Sequence, residues 1–496
     1  MKKLLALLIA VSFCFAGIAC VKDGADSENT TASTTTSATD ITTTQTTAQT
    51  TTPPEPPTCT EDAPLLAGFA EIDITPKKLG VMPGGSGKSV AGKVEMPLLA
   101  NAAAFECNGS SLILVSVDIL LFQDHHVKAM REQINEATGV PEENIMIAAT
   151  HTHTGGGLDF QLYRTPSDTE AFNNTVDLTV KAAIEAWETR ESAKMGFAAS
   201  ELKGYSFCRD AFMKNGDINT WPSKSQIDHL ISEVDQSFSL IRVDDAEGNI
   251  ECFIVCYANH SDSSSKKGYN PDYPGYMRQK IKESLGEDIT ILYLNGAQGD
   301  VNYSDYLGEG TEGRDNMTIG VALAAKVLKL NQDIAVDNEY PEIKTLSGTY
   351  EAVQRHPSEE NFTWAEGIMQ KVANGESVAS LDKAFATEYL NEDYSDLGDT
   401  FDIEVQTIVL GDFAFVSLPC EPFSEIALKI KADSPYENTV IIGLANGHNG
   451  YIAPDFVQGT SAYAARFSKH VNKAGLGTAD LLINNAIALL NDMKNN

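Results

Sequence analysis

Short apolar runs separated by polar turns follow one another after residue 63 and predict alternating strands and helices. The run LILV at residues 112–115 is continuous, which is typical of a strand buried on both faces. The pattern predicts strands at residues 67–74, 111–118, 144–150, 238–244, 252–258, 289–294, 406–410, 413–418 and 440–445, and helices at 127–137, 177–189, 276–284, 318–328 and 479–490. We therefore expect an α/β fold, a single large domain at residues 63–496 with mixed β-sheets flanked by helices.

The first twenty residues have the pattern of an export signal. Lys2 and Lys3 precede an apolar stretch at residues 4–19 that ends in small residues before Cys20. We interpret residues 1–19 as a signal peptide of the lipoprotein type and Cys20 as the lipidated N-terminus; ordinary signal cleavage is the alternative. Both interpretations predict export, and the first predicts a cell-surface protein anchored to a bacterial membrane by its lipid.

Residues 20–62 are dominated by Thr, Ser and Pro. Such a segment has almost nothing to bury and cannot offset the entropy cost of ordering. We predict a disordered stalk that links the anchor to the folded body.

Charge and cysteine usage exclude several functions. The 496 residues include 36 Lys and Arg against 69 Asp and Glu, a net charge of −33, which argues against nucleic-acid binding and against docking on an anionic membrane. The eight cysteines contain no C-x-x-C pair, so a thiolate zinc cluster is not predicted. Residues 83–89, PGGSGKS, look like a phosphate loop, but Met82 stands at the position of its first glycine.

The strongest local sign of chemistry is the segment THTHTGGG at residues 150–157, which follows a predicted strand. On extended backbone, His151 and His153 would point to the same face. The glycines that follow let the backbone approach a metal or a ligand closely. This arrangement favours a functional site over two packed histidines.

Other polar residues follow apolar strands in the same way. His260, Glu421 and Tyr451 each come just after a predicted strand, and alone each fits an ordinary loop or helix-start position. Together they lie where α/β sheets build their sites, at the carboxyl ends of strands. The loop NGAQGDVN at residues 295–302 also follows a strand and can offer backbone N–H groups to an oxyanion, although a plain turn is the alternative.

Taken in order, these segments resemble the catalytic domain of the neutral/alkaline, non-lysosomal ceramidase family. The resemblance is carried by residues 68–76 (GFAEIDITP), 116–118 (SVD), 150–157, 208–209 (CR), 258–260 (ANH), 272–275 (DYPG), 295–302, 419–421 (PCE) and 443–451. It covers nearly all of the sequence after the stalk.

The resemblance implies a single Zn²⁺ per chain. The residues that match the family's metal ligands are His151, His260, Glu421 and Tyr451. The matching catalytic residues are His153 and Tyr463, which would stabilise an oxyanion, and Arg209 in the cleft. The family has a serine in the Gly-rich loop where this chain has Asn302, so we expect Asn302 to fill part of the cleft and to select the substrate.

The resulting prediction is an exported, surface-tethered, zinc-dependent hydrolase that cleaves an amide, such as the N-acyl bond of a ceramide-like sphingolipid. A zinc amidase or esterase for another acyl compound is the alternative among enzymes. A non-catalytic surface lipoprotein that binds a lipid or a glycan is the alternative outside them. The expected partner is a small lipid-like or N-acyl molecule, with no nucleic acid and with membrane contact only through Cys20.

Overall fold

The computed structural model describes residues 63–85, 87–308 and 315–495. The predictions for the signal peptide at residues 1–19, for Cys20 and for the stalk at 20–62 lie outside the described residues. None of the helices in the described ranges combines the length and apolar character that a membrane span requires. The fold is mixed α/β, as predicted, with several sheets and helices packed against them.

The secondary structure is dominated by strands. The strands are β1 (Leu66–Asp73), β2 (Val81–Met82), β3 (Ser89–Val90), β4 (Leu99–Cys107), β5 (Ser110–Val117), β6 (Ile145–Ala149), β7 (Glu191–Glu201), β8 (Phe207–Cys208), β9 (Asp210–Met213), β10 (Ile218–Thr220), β11 (Ile227–Leu230), β12 (Ser237–Asp245), β13 (Ile250–Tyr257), β14 (Thr290–Asn295), β15 (Val301–Asn302), β16 (Ile343–Val353), β17 (Thr400–Leu410), β18 (Phe413–Leu418), β19 (Glu421–Pro422), β20 (Thr439–Gly443) and β21 (Tyr451–Ile452). The helices are α1 (Asp124–Thr138), α2 (Thr169–Glu188), α3 (Tyr273–Leu285), α4 (Asn316–Leu330), α5 (Glu359–Ala373), α6 (Ser380–Asn391), α7 (Ser424–Asp433) and α8 (Thr478–Asn495).

Two sheets form the centre of the fold. The larger has eight strands in the order β14-β13-β12-β7-β1-β4-β5-β6, and the smaller has four in the order β16-β17-β18-β20. Both are mixed: β13 pairs with β14, β5 with β6, and β18 with β20 in parallel, while their other pairs are antiparallel. The parallel pairs therefore lie at sheet edges, where their carboxyl ends leave room for loops.

The core is arranged in four layers. Apolar residues of the two sheets pack face to face, as Leu114 and Ile254 of the larger sheet do with Phe415 and Ile442 of the smaller. Helices α1 to α4 cover the outer face of the larger sheet, and α7 and α8 cover the outer face of the smaller. Strands β5, β13 and β18 are buried on both faces along most of their length, which explains their continuous apolar runs.

The predicted elements correspond to strands and helices of the structure, and most ends agree within five residues. The two larger shifts are the starts of α2, at 169 and not 177, and of β17, at 400 and not 406. The apolar pattern missed β4, β7, β16 and helices α5 to α7. β4 has the sequence LANAAAFEC, whose alanines have no strand propensity. Small residues are needed there because α2 packs closely on this part of the sheet: a Cβ on neighbouring Gly68 would lie 2.2 Å from the Ala186 carbonyl oxygen.

Candidate functional site

The residues singled out in the sequence meet in one cleft. His151 and His153 lie in the loop after β6, and His260 lies in the loop after β13. Glu421 on β19 stands opposite Tyr451 on β21 in a parallel pair, so two residues distant in sequence lie side by side. All five line a cleft of about 270 Å³.

The spacing of the THTH segment predicted that both histidines lie on one face of extended backbone. In the structure, they come together through a turn instead. β6 ends at Ala149, and His151 has a left-handed backbone with φ of 66°. The surrounding loop holds this strained conformation: the His151 N–H donates to the Ile119 carbonyl over 3.1 Å.

The imidazoles and one carboxylate have the spacing of metal ligands. The His151 Nε2 atom lies 3.1 Å from His260 Nε2 and 3.4 Å from His153 Nε2. Glu421 Oε2 lies 3.2 Å from His151 Nε2 and 3.9 Å from His260 Nε2. Zinc bonds of about 2.0–2.2 Å place tetrahedral ligands about 3.3–3.6 Å apart. We call these four residues the histidine floor.

Hydrogen bonds behind the floor fix the tautomers of two imidazoles. The Nδ1 atom of His151 donates to the Leu120 carbonyl over 2.8 Å, and that of His260 faces the Gln298 carbonyl at 3.3 Å. Because a carbonyl can only accept, Nδ1 carries the proton and Nε2 presents a lone pair to the floor. Glu421 Oε2 is buried there and receives no hydrogen bond from the described residues. This donor set fits a divalent cation such as zinc.

The electrostatics of the floor agree with this fit. Burial raises the pKa of Glu421, but the neighbouring imidazoles outweigh burial and hold the pKa well below its usual range. Burial lowers the pKa of His153 and His260 well below the ordinary value, so both are neutral. For His151, burial is outweighed by Glu421, and the net pKa is raised.

The predicted catalytic residues Arg209 and Tyr463 line the same cleft. The Arg209 guanidinium donates to the Gly299 carbonyl over 2.8 Å and lies 5.4 Å from the centre of the Tyr451 ring. The hydroxyl of Tyr463 lies 2.7 Å from that of Tyr163. Burial raises the pKa of Tyr463 above its ordinary value, so the hydroxyl stays protonated at neutral pH.

Asn302 is not among the residues that line the cleft, and its expected role in selecting the substrate stays a prediction. It is buried on β15, which pairs with β8. Its Nδ2 donates to the Tyr306 hydroxyl over 3.1 Å, and its Oδ1 accepts from the Ser304 N–H over 2.9 Å. The side chain therefore closes the turn that follows β15.

Sequence reasoning missed several cleft residues. His448 Nε2 lies 3.4 Å from Glu421 Oε1. The sequence signal that could have identified it is its position three residues before Tyr451. Asp262 lines the cleft two residues after His260. Gly84, in the loop that resembled a phosphate loop, packs against His153: a Cβ there would lie 2.2 Å from the His153 Cβ.

A second group of metal-type side chains lies outside the cleft. His125, His126 and Asp159 each bring a ligand atom within 4.8 Å of the others. However, His126 Nδ1 accepts the Gln123 N–H over 3.1 Å, so Nε2 holds the proton and donates to Asp159 over 2.9 Å. His126 thus acts as a helix-start residue, and we assign no metal to this group.

Comparison with known proteins gives one consistent relationship. No family model matches the sequence. The chain is 27% identical over 235 residues to the neutral ceramidase of Pseudomonas aeruginosa, which covers 44% of this chain and 34% of that protein. It is 26% identical over 228 residues to neutral ceramidase B of Dictyostelium discoideum, covering 43% of this chain and 31% of that protein. The matches span about a third of the length of these relatives.

The fold gives the same relationship over a longer stretch. The crystal structure of neutral ceramidase from Pseudomonas aeruginosa matches with a TM-score of 0.63 at 18% identity, over 87% of this chain and 75% of that one. The structure of a ceramidase complexed with C2 matches with a TM-score of 0.63 at 16% identity, over 88% and 76%. The resemblance inferred from the sequence is therefore confirmed: the chain is similar to neutral ceramidases in sequence over part of its length and in fold over most of it.

Proposed function

We propose that this protein is a zinc-dependent hydrolase of an amide bond and that its substrates are N-acyl lipids of the ceramide kind. The observation that carries the proposal is the histidine floor, which combines imidazoles and a carboxylate at metal-ligand spacing at the bottom of a cleft. That the substrate is a sphingolipid and that an amide bond is cleaved are inferred from the similar proteins, which are named neutral ceramidases.

The proposed ligands are His151, His260, Glu421 and Tyr451. A zinc ion bound by them supplies a Lewis acid for the scissile carbonyl and lowers the pKa of a water molecule to about 7. Because Nδ1–H bonds to backbone carbonyls fix two of the imidazoles, the ligands need little rearrangement on binding.

His153 is the proposed proton carrier. It is neutral, and its Nδ1 is buried without a hydrogen-bond partner among the described residues. A neutral imidazole can take a proton from the attacking water and deliver it to the leaving nitrogen, so that amide and water become carboxylate and amine. Its Nε2 also lies close enough to His151 Nε2 for His153 to be a zinc ligand. The zinc content of a His153 variant distinguishes a proton carrier from a ligand.

Arg209 and Tyr463 are the proposed oxyanion partners. Arg209 brings a permanent positive charge to a buried position, and Tyr463 brings a protonated hydroxyl. Donors of this kind contribute about 3–4 kcal/mol each to transition-state stabilisation.

The walls of the cleft suit an acyl chain. Leu120, Leu121, Leu162 and Leu381 line it together with Trp221, above the polar floor. An apolar chain lying against these side chains would place its carbonyl over the histidine floor. Export and lipid anchoring of the protein at Cys20 remain part of the proposal on the sequence of residues 1–20 alone.

The test is hydrolysis of N-acyl and O-acyl lipids, ceramide included, by the zinc-loaded protein and by alanine variants of the floor. We expect amide hydrolysis that is lost in His151→Ala and His260→Ala together with the zinc. His153→Ala should keep the zinc and lose turnover; loss of zinc there would make His153 a ligand.

The exposed His229, whose Nδ1 lies 2.9 Å from its neighbour Asp228, is the matched control. His229→Ala should keep both zinc and activity. If the folded protein binds zinc but hydrolyses none of the substrates, the proposal fails and the protein is better explained as a lipid-binding surface protein.

A further inference from the structure

The hydroxyl groups of two cleft tyrosines meet in a hydrogen bond. The oxygens of Tyr163 and Tyr463 lie 2.7 Å apart, and both residues line the cleft. Neither hydroxyl has another hydrogen-bond partner among the described residues. The fold thus brings Tyr163, from the loop between β6 and α2, into direct contact with a proposed oxyanion partner.

The loop around Tyr163 fixes the position of its ring. The Leu162 N–H donates to the Thr165 carbonyl over 3.1 Å, and the Thr165 N–H donates to the Leu162 carbonyl over 2.9 Å. Tyr163 lies at the tip of this turn with a left-handed φ of 52°, which is unfavourable for a residue other than glycine. Its ring packs against Phe385, with the ring centres 5.5 Å apart. The Tyr163 hydroxyl is therefore held at a fixed place in the cleft wall.

Tyr463 connects Tyr163 with the proposed metal ligands. Its ring packs edge-on against that of Tyr451, with 5.3 Å between the ring centres and 84° between the ring planes. Tyr451 in turn lies beside Glu421 in the pair of β19 and β21. A group bonded to the Tyr463 hydroxyl can therefore act on the chemistry at the histidine floor without contacting the floor itself.

The protons of the pair indicate which hydroxyl donates. A phenol has one proton, so the hydrogen bond runs either from Tyr163 or from Tyr463. Tyr163 is only 6% exposed, whereas Tyr463 is partly exposed. Because a buried donor without an acceptor is costly, the Tyr163 proton points to the Tyr463 oxygen, its one acceptor among the described residues. The Tyr463 proton is then available to an oxygen atom in the cleft.

From this geometry we propose that Tyr163 is a positioning residue that bonds the Tyr463 oxygen and so points the Tyr463 proton at the carbonyl oxygen of the substrate. The inference rests on the proposed function. No proton moves between the two tyrosines, and Tyr463 only donates a hydrogen bond to the oxyanion. Without the Tyr163 hydroxyl, the Tyr463 hydroxyl can rotate and this bond weakens. Because charge develops on the carbonyl oxygen in the transition state, the loss affects kcat and not KM.

The test is ceramide hydrolysis by the zinc-loaded protein and by Tyr163→Phe, which removes the hydroxyl and keeps the ring against Phe385. We expect kcat to fall about tenfold, with KM within about twofold of wild type and the zinc content unchanged. Tyr463→Phe should lower kcat by about 100-fold. Since Tyr163 acts through Tyr463, the double variant should be no slower than Tyr463→Phe alone. An unchanged kcat in Tyr163→Phe, or losses that multiply in the double variant, would overturn the inference.

Tyr257→Phe is the matched control. Tyr257 is also buried, and its hydroxyl donates to the Leu202 carbonyl over 3.0 Å outside the cleft. The variant loses one hydrogen bond, as Tyr163→Phe does, and should keep the wild-type kcat. An equal fall in kcat in both variants would show a general effect of losing a tyrosine hydroxyl and would count against the inference.

A binding arm separates this inference from the proposed function. Calorimetry of the zinc-loaded protein with dodecylphosphonate, whose oxygens resemble those of a tetrahedral oxyanion, measures the Tyr463 contact without turnover. Binding that is about tenfold weaker in Tyr163→Phe, with no further loss when Tyr163→Phe is added to Tyr463→Phe, supports the inference even where no amide is hydrolysed and the proposed function fails. Equal affinities of wild type and Tyr163→Phe would contradict it.

Discussion

Two carboxylates of the cleft, Glu421 and Asp262, differ in the groups that surround them. Glu421 lies among imidazoles, which hold its pKa well below the ordinary range despite burial. Asp262 has no such neighbours at bonding distance, and burial raises its pKa, only partly opposed by Lys266, Arg209 and His151. The fold thus surrounds Glu421 with imidazoles, whereas Asp262 Oδ1 is buried without a hydrogen-bond donor among the described residues.

The largest effect is expected at Glu421. Glu421→Gln removes the charge that balances the cation and the imidazoles of the floor. We expect zinc binding to weaken by more than about 100-fold and amide hydrolysis to fall by about 10³-fold. The measurements are zinc content after dialysis and kcat/KM. Glu425→Gln, in a surface pair with Lys429, is the control and should change neither.

The sequence predicted Glu421 as a site residue but did not predict Asp262. His151, His260 and Glu421 follow strands, so alternating apolar runs and the family resemblance were enough to find them. The unpartnered state of Asp262 depends on what surrounds it in space, and no spacing reports that. The same holds for Asn302, whose side chain turns to Tyr306 although its position in the loop matched a cleft residue.

A third buried carboxyl, Glu388, shows what burial does without imidazoles. Burial raises its pKa from 4.5 to about 7, although the Ser468 hydroxyl and the Lys469 N–H bond to it. The folded state therefore holds a proton that the unfolded state has lost, and stability falls as pH rises from about 4.5 to 7. The loss is about 3 kcal/mol.

Glu388→Gln should remove this pH dependence. The measurement is the free energy of unfolding by denaturant at pH 4.5 and pH 8 for both proteins. Equal pH dependence in wild type and Glu388→Gln would show that Glu388 does not titrate in this range.

Gly84 tests how closely its loop packs against His153 of the histidine floor. Its added Cβ in Gly84→Ala would overlap His153, so we expect a loss of about 1–3 kcal/mol in stability and about a tenfold loss in kcat. Gly367→Ala, in α5 with open space around the added Cβ, should stabilise the protein slightly. Full activity of Gly84→Ala would contradict this packing.

The smallest effect is expected at Asn302. Asn302→Ser should leave kcat/KM on ceramide within about twofold, because the side chain does not line the cleft. Loss of its bond to the Tyr306 hydroxyl should cost about 1 kcal/mol of stability. A large change in substrate preference would show that Asn302 contributes to substrate binding.

Amide hydrolysis by this protein is proposed to depend on one zinc ion bound by His151, His260, Glu421 and Tyr451. The measurement is a titration of metal-free protein with zinc that follows ceramide hydrolysis and bound zinc together. We expect the hydrolysis rate to rise in proportion to bound zinc and to reach its plateau at one zinc per chain. In His260→Ala we expect no tight zinc binding and no increase in the hydrolysis rate. Hydrolysis that is independent of zinc, or that persists in His260→Ala, would contradict it.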